Sequence, residues 1–296
     1  MSAFFLFPGQ GSQRPGMGKD FYDASPEARA IFDAAAAQSP DGFLDLIFSG
    51  SQEDLNDTRV AQPALLTVEV AIVKYIESRG VRPSGCAGHS LGEIPALVAA
   101  GAVAFEDALR FTRERARLMS ENVPAGGMAA VMGLDAEAIA AALPTGAQIA
   151  NYNGDSQTII SGSADALAAA ETALKTAGAK RVIPLKVSGP FHSEFMHPAA
   201  EEFAKILATI PFQAPSIGFI SSVTATEVSD PEEIRALLSR QLCSPVRWTQ
   251  TSQAIGEVPA WEIGPAAVLK GLAKRIPGGP EVLAVGTLEE TTAALA

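Results

Sequence analysis

The sequence predicts an α/β protein: a large domain built on a parallel sheet, interrupted by a small unit in the order βαββαβ. Three observations predict it. Before residue 123 and after residue 190, short apolar runs that read as buried parallel strands alternate with helical patterns. Residues 124–189 change texture and alternate strand and helix signals in the split order of a ferredoxin-like unit. The 296 residues are 47% hydrophobic and 19% charged, enough apolar material for one large core and a smaller one. The expected domains are therefore 1–123 with 190–296, and 124–189.

The elements follow in order. Ala3 to Phe7 is an apolar strand that stops at Pro8-Gly9 and enters the glycine-rich loop PGQGSQRPGMG. Asp54 to Asp57 lead into a loop, and Gln62-Pro63 opens a long helix. Leu66, Val70, Val73 and Ile76 line one face of that helix, and Gly80 ends it. Gly85 to Gly88 suits the end of a central strand. Residues from Gly92 onward are helical, with Pro95 in the first turns, where a missing N–H is tolerated. Phe105 to Met119 is a helix carrying Arg110, Arg113, Arg115 and Arg117 among its polar positions.

In the small unit, strands are expected at Met128–Met132, Gln148–Tyr152, Thr158–Ser161 and Arg181–Val187. Helices are expected at Asp135–Leu143 and Ala164–Ala177, with a turn at Asn153-Gly154-Asp155. The large domain then resumes with helix Pro198–Thr209, strand Ser216–Ser221, helix Pro231–Gln241 and strand Ala260–Ile263. A helix over Ala266–Ile276 closes the pattern.

Charge and cysteine usage narrow the function classes. The net charge of −11 disfavours nucleic acid, whose phosphates need a dense basic face. Cys86 and Cys243 form no CxxC pair and no zinc spacing, so no metal is expected, and free cysteines in apolar contexts fit a reducing cytoplasm. The start MSAFFLFPGQGSQ lacks a signal-peptide pattern, and no apolar run reaches the ~18 residues of a membrane span.

Gly88-His89-Ser90-Leu91-Gly92 fits G-x-S-x-G, the nucleophile elbow of an α/β-hydrolase-like fold. A sharp strand-to-helix turn would expose the Ser90 hydroxyl. The small glycines let strand and helix approach, and the Leu91 N–H points at a developing oxyanion. The chain offers three histidines as base. His89 is adjacent to Ser90 and should point away from it. His197 stands at a helix start. His192, in the loop SGPFHSEF near the domain junction, is the candidate general base.

FPGQGSQ near the start, QPAL at 62–65, GHSLGE at 88–93, FTRERARLM, FHSEFM, RQLCSPVRW and EIGPAAVLKGL occur in one order and spacing. Together they resemble the malonyl-CoA:acyl-carrier-protein transacylases, and also the discrete acyltransferases that serve polyketide synthases in trans. The resemblance covers nearly the whole chain. It implies Ser90 as the nucleophile that is malonylated and His192 as its base and acid. It implies that the backbone N–H groups of Gln10 and Leu91 form an oxyanion hole. It further implies Arg115 as the residue that binds the malonyl carboxylate, and Gln241 as the residue whose carbonyl orients the histidine, in a dyad with no catalytic Asp.

The implied substrates are malonyl-CoA and an acyl carrier protein, with no metal or organic cofactor and no membrane or nucleic-acid partner. Phe191 resembles the malonyl-selective form of polyketide acyltransferases. A planar guanidinium suits the task of Arg115, because it grips a carboxylate with two parallel hydrogen bonds. Lys180, Arg181, Lys186, Lys270, Lys274 and Arg275 are candidates for docking an acidic carrier. Two other readings remain: a serine thioesterase that shares Ser90 and His192, and a non-catalytic carrier-binding subunit.

Overall fold

Residues 3–121, 123–154 and 157–296 are described by a computed structural model. The chain begins with β1 (Phe4–Phe7), whose Phe5, Leu6 and Phe7 are buried. After the glycine-rich loop come α1 (Lys19–Ala24), α2 (Pro26–Ala37), α3 (Phe43–Ser49), α4 (Gln52–Asn56) and α5 (Thr58–Ser78). Ser25 caps α2, with Pro26 at its first position, and Ser51 with Asp54 forms a capping box on α4. The loop expected after Asp54 to Asp57 is absent among the described residues, since α4 ends at Asn56 and α5 begins at Thr58. The long helix α5 starts at Thr58, four residues before Gln62, because the Asp57 side chain accepts from Arg59 N–H and caps it there. Pro63 lies inside α5, and Gly80, at φ +78°, follows its end.

Next come β2 (Gly85–Gly88), a 3₁₀ turn at Ser90–Gly92, α6 (Glu93–Ala99) and α7 (Phe105–Leu118). The small unit holds β3 (Gly126–Met132), α8 (Ala136–Ala142), β4 (Ala147–Tyr152), β5 (Thr158–Ser163), α9 (Ala164–Thr176) and β6 (Arg181–Pro184). The strand expected to reach Val187 stops at Pro184: Leu185 N–H makes one more bond to Met128 O at 2.9 Å, and Val187 N–H then turns back to Leu185 O at 3.1 Å, which ends the extended run. Asp155 of the expected turn lies outside the described residues.

The chain returns through α10 (His197–Leu207), β7 (Gly218–Ser221), β8 (Thr226–Glu227), α11 (Pro231–Gln241), α12 (Trp248–Ile255), β9 (Pro259–Glu262) and α13 (Val268–Ala273). The pattern does not close at α13, because β10 (Glu281–Ala284) and α14 (Leu288–Leu295) follow.

The large sheet has the order β10-β9-β1-β2-β7-β8 among the described residues, with every pairing parallel except β7 with β8. It is the α/β-hydrolase-like half of the expectation. Phe5 and Phe7 point to a core that holds Leu65, Val68 and Ile72 of α5, while Leu6 and Ala87 join Ile220, Trp248 and Leu269 on the other face. The small sheet has the order β4-β5-β3-β6, antiparallel throughout, which is the ferredoxin-like arrangement, and closes on Val131, Ile139, Ile160 and Leu174.

The two sheets are stitched together. Val246 bridges Asn151 in parallel, with Val246 N–H donating to Ala150 O at 2.8 Å and Tyr152 N–H to Val246 O at 2.9 Å. The strap after α11 thereby carries β4 to the end of β2, where the elbow lies.

Candidate active site

Ser90 sits at the turn between β2 and α6 with φ +54°, a conformation that non-glycine residues rarely adopt. The two glycines of the motif make the turn possible by leaving no room for a side chain. A Cβ on Gly88 would lie 1.9 Å from the Gly92 carbonyl carbon, and one on Gly92 would lie 2.1 Å from Phe7 O. Strand β1, the turn and the start of α6 are in backbone contact, and Ser90 is pushed outward.

His192 reaches Ser90 from the loop between β6 and α10, also with a positive φ of +57°. Its Nε2 lies 2.8 Å from Ser90 Oγ. Its Nδ1 faces two carbonyl oxygens, Gln241 O at 2.9 Å and Ser244 O at 3.2 Å. Nδ1 therefore carries the proton, and Nε2 accepts from the Ser90 hydroxyl. Burial first, and the nearby Arg115 charge second, push the imidazole down to about 3, so it stays neutral and able to take a proton.

Arg115, on α7, is fully buried beside this pair. Its Nη1 donates to Gln62 Oε1 at 2.8 Å, and its Nη2 donates to Gln241 Oε1 at 2.8 Å and to Ser90 Oγ at 3.2 Å. Nε is buried and unpartnered among the described residues. Burial lowers the guanidinium to about 10, and the Glu93 charge opposes that shift. It remains a cation at neutral pH, held 3.2 Å from a hydroxyl poised beside its base.

Ser90, His192 and Arg115 open on one cavity of about 490 Å³, whose lining includes Gln10, Leu91, Met128, Ile159 and Phe191. It lies between the large sheet and the small one, and the small sheet contributes an apolar wall. All six residues expected from the sequence, Ser90, His192, Gln10, Leu91, Arg115 and Gln241, meet within this site.

The other two histidines lie elsewhere. His89 turns away from Ser90, with its Nε2 2.9 Å from Asn153 Oδ1, and so ties the elbow to the small sheet. His197 is exposed at the start of α10. Among the other arginines of α7, Arg110 pairs with Asp107, and Arg117 pairs with Glu114 and Glu121, on a solvated face. Lys186 lines the cavity mouth, and Lys270 stands on α13, next to the lining residues Val268 and Leu269.

Three participants escaped the sequence reading. Gln62 and the Gln241 side chain hold Arg115, and Glu93 accepts from Gln241 Nε2. Glu93 is buried, and so is Gln62, among apolar residues of helices that pack on the sheet. The available signals were a polar residue that interrupts an apolar helix face, and the place of Gln62 and Glu93 in the motifs QPAL and GHSLGE. Among the described residues, no group of His, Cys, Asp or Glu is arranged to hold a metal ion, and no helix is long and apolar enough to cross a membrane.

The sequence profile of the acyl transferase domain family matches residues 4–273. The malonyl CoA-acyl carrier protein transacylase of Bacillus subtilis is 43% identical over 296 residues, covering 96% of this chain and 93% of the relative. The enzyme of the same name from Escherichia coli is 40% identical and covers 98% and 96%. The crystal structure of an acyl carrier protein S-malonyltransferase from Vibrio cholerae superposes with a TM-score of 0.93 at 40% identity, covering 99% of this chain and all of that one. A type II polyketide-synthase acyl-carrier protein in complex with its malonyl-transacylase gives a TM-score of 0.94 at 39% identity, covering 100% and 99%.

Proposed function

Because the chain belongs to the acyl transferase domain family, we propose that it moves a malonyl group from malonyl-CoA to the pantetheine thiol of an acyl carrier protein, for fatty-acid or polyketide synthesis. The observation that carries this reading is the buried Arg115 guanidinium, 3.2 Å from the Ser90 hydroxyl that His192 is placed to deprotonate. An acyl pocket with a fixed cation selects an acyl group that ends in a carboxylate.

The steps are those of covalent catalysis. His192 Nε2 takes the Ser90 Oγ proton as the oxygen attacks the thioester carbonyl. The Gln10 and Leu91 N–H groups hold the oxyanion. The carbon–sulfur bond breaks, His192 returns its proton to the CoA sulfur, and a malonyl ester of Ser90 remains. The carrier thiol then enters, gives its proton to His192 and attacks the ester, and the Ser90 oxygen leaves with that proton. Gln241 O holds the imidazole by its Nδ1–H throughout. The chemistry calls for no metal or organic cofactor, since malonyl-CoA is a substrate.

Residues 1–123 with 190–296 form the catalytic domain in this reading, and 124–189 form the insert that walls the acyl pocket. Lys186, which lines the cavity, and Lys270, beside the lining residues Val268 and Leu269, are the basic residues we propose for an acidic carrier. We assign the reaction to the cytoplasm, a reducing compartment in keeping with the free Cys86 and Cys243.

The test is transfer from malonyl-, methylmalonyl- and acetyl-CoA, with and without holo-carrier protein. Malonyl transfer that depends on the carrier, with slow release of malonate in its absence, is expected. Rapid malonate release regardless of carrier would make the chain a thioesterase.

A further inference from the structure

Glu93 has no part in the reaction just described, yet it is wholly buried at the start of α6, three residues after Ser90. We infer that Glu93 is a positioning residue that sets selectivity for a carboxylate-bearing acyl group, by fixing Arg115 through the side chain of Gln241. The inference rests on the reading of Arg115 as the carboxylate clamp.

The geometry runs through three side chains. Glu93 Oε1 accepts from Ser222 N–H, and from Ser221 Oγ at 3.1 Å. Its Oε2 accepts from Gln241 Nε2. Every one of these neighbours is a donor, so the site is built for a carboxylate. An ionised carboxylate only accepts, so it dictates which way the Gln241 amide faces. The amide must turn its NH₂ toward Glu93, and its second hydrogen goes to Ser90 O at 3.1 Å. Only Oε1 is left, and it takes Arg115 Nη2–H at 2.8 Å. The reversed amide would set NH₂ against a guanidinium that can only donate.

Gln241 also receives the His192 Nδ1–H on its main-chain carbonyl. One residue therefore anchors both the base and the clamp, and Glu93 stands behind it. The Glu93 charge also helps Arg115 keep its proton in spite of burial.

The bonds to Ser221 and Ser222 tie α6 to the end of β7, which is a structural task. The bond to Gln241 is the one that bears on selectivity, and the experiment must separate the two. We would measure kcat/KM for acylation by malonyl-CoA and by acetyl-CoA in the wild-type chain, in Glu93→Gln, Glu93→Asp and Gln241→Met, and in Glu93→Gln on an Arg115→Ala background. A neutral amide at position 93 no longer dictates the Gln241 orientation, and the malonyl:acetyl ratio should fall about tenfold or more, the effect of one hydrogen bond to a charged group. Gln241→Met, which keeps the main-chain carbonyl, should lower the ratio in the same way. Glu93→Asp keeps the charge and should restore part of the ratio. In the Arg115→Ala background, Glu93→Gln should leave the ratio where it is.

A ratio within about twofold of wild type in Glu93→Gln, whatever happens to stability, to the two rates together or to Gln241→Met, would overturn the relay. If Glu93→Gln does not fold, Glu93→Asp decides: its shorter side chain draws the carboxylate back from Gln241 Nε2, and a ratio within about twofold of wild type there would overturn the relay. A wild-type chain that acylates equally from both donors would overturn the clamp reading itself, and that result is read before any variant is made.

Discussion

Ser90 and His192 share a backbone conformation that side chains avoid, with φ of +54° and +57°. Each costs on the order of 1–3 kcal/mol, offset by the packing around it. The strain aims two groups from distant parts of the chain at each other, and Arg115 completes the site from a third. His192 is held neutral by burial and by the Arg115 charge, down to about 3. A depressed imidazole remains an active base as pH falls through its ordinary 6.5, so the acid limb of kcat/KM should lie well below 6.5. Arg115→Ala, assayed with acetyl-CoA, removes a neighbouring cation and should move that limb toward neutral pH. An acid limb near 6.5 in the wild-type chain would contradict this electrostatic account. The same variant should lower the malonyl:acetyl ratio by about a hundredfold or more, since a buried charge-assisted pair is lost, while Arg117→Ala, on the exposed ion-paired face of α7, should leave it within about threefold. Ser90 was legible because the motif names it, and His192 because the chain has only three histidines. Gln62 and Glu93 were not, because their partners lie 53 and 148 positions away in sequence and only the fold brings them together.

At the scale of elements, the elbow depends on the absence of side chains. Gly88→Ala would drive a Cβ to 1.9 Å from the Gly92 backbone, where no flexible group can give way. We expect it to lose more than about 3 kcal/mol of stability, read as a fall in Tm, together with loss of Ser90 acylation. A stable, active Gly88→Ala would mean that strand and helix do not meet as described. The elements nearest the site were the easiest to read. The limits of β2 at Gly85–Gly88 and α11 at Pro231–Gln241 match the expected ones, because glycines in one case and an Asp-Pro start in the other mark the ends. The helices between residues 19 and 49 went unread, although Ser25-Pro26 carries the cap and first-turn signals of α2. β10 has no such signal: four residues, alternately exposed and half-buried, pair with β9 on the sheet edge only because β9 is already there.

At the scale of the molecule, the small ferredoxin-like sheet walls the acyl cavity and is fastened to the elbow by Val246 and by His89 with Asn153. Its strand order was legible in the βαββαβ pattern, whereas the fastening was not, since the bridge joins segments almost a hundred residues apart. The core also carries an uncompensated feature. Glu69, on α5, is completely buried with neither carboxylate oxygen hydrogen-bonded among the described residues. Burial and the nearby Glu262 raise it well above the usual carboxylate range. The folded state therefore holds a proton that the unfolded chain releases above about pH 4.3, and the contribution to stability falls as pH rises from there toward the folded-state pKa, by up to about 1.4 kcal/mol per pH unit. Glu69→Met should gain stability over wild type at pH 7, and the gain should shrink toward pH 4. Equal Tm differences at both pH values would show that Glu69 is not held protonated.

Every role proposed above depends on acyl transfer through an ester of Ser90. Incubation of the wild-type chain with malonyl-CoA, followed by peptide mass mapping before and after addition of holo-carrier protein, tests it most directly. One malonyl group on the peptide that contains Ser90, its transfer to the carrier thiol, and no such adduct in Ser90→Ala are expected. A malonyl adduct on another residue, or undiminished transfer by Ser90→Ala, would contradict it.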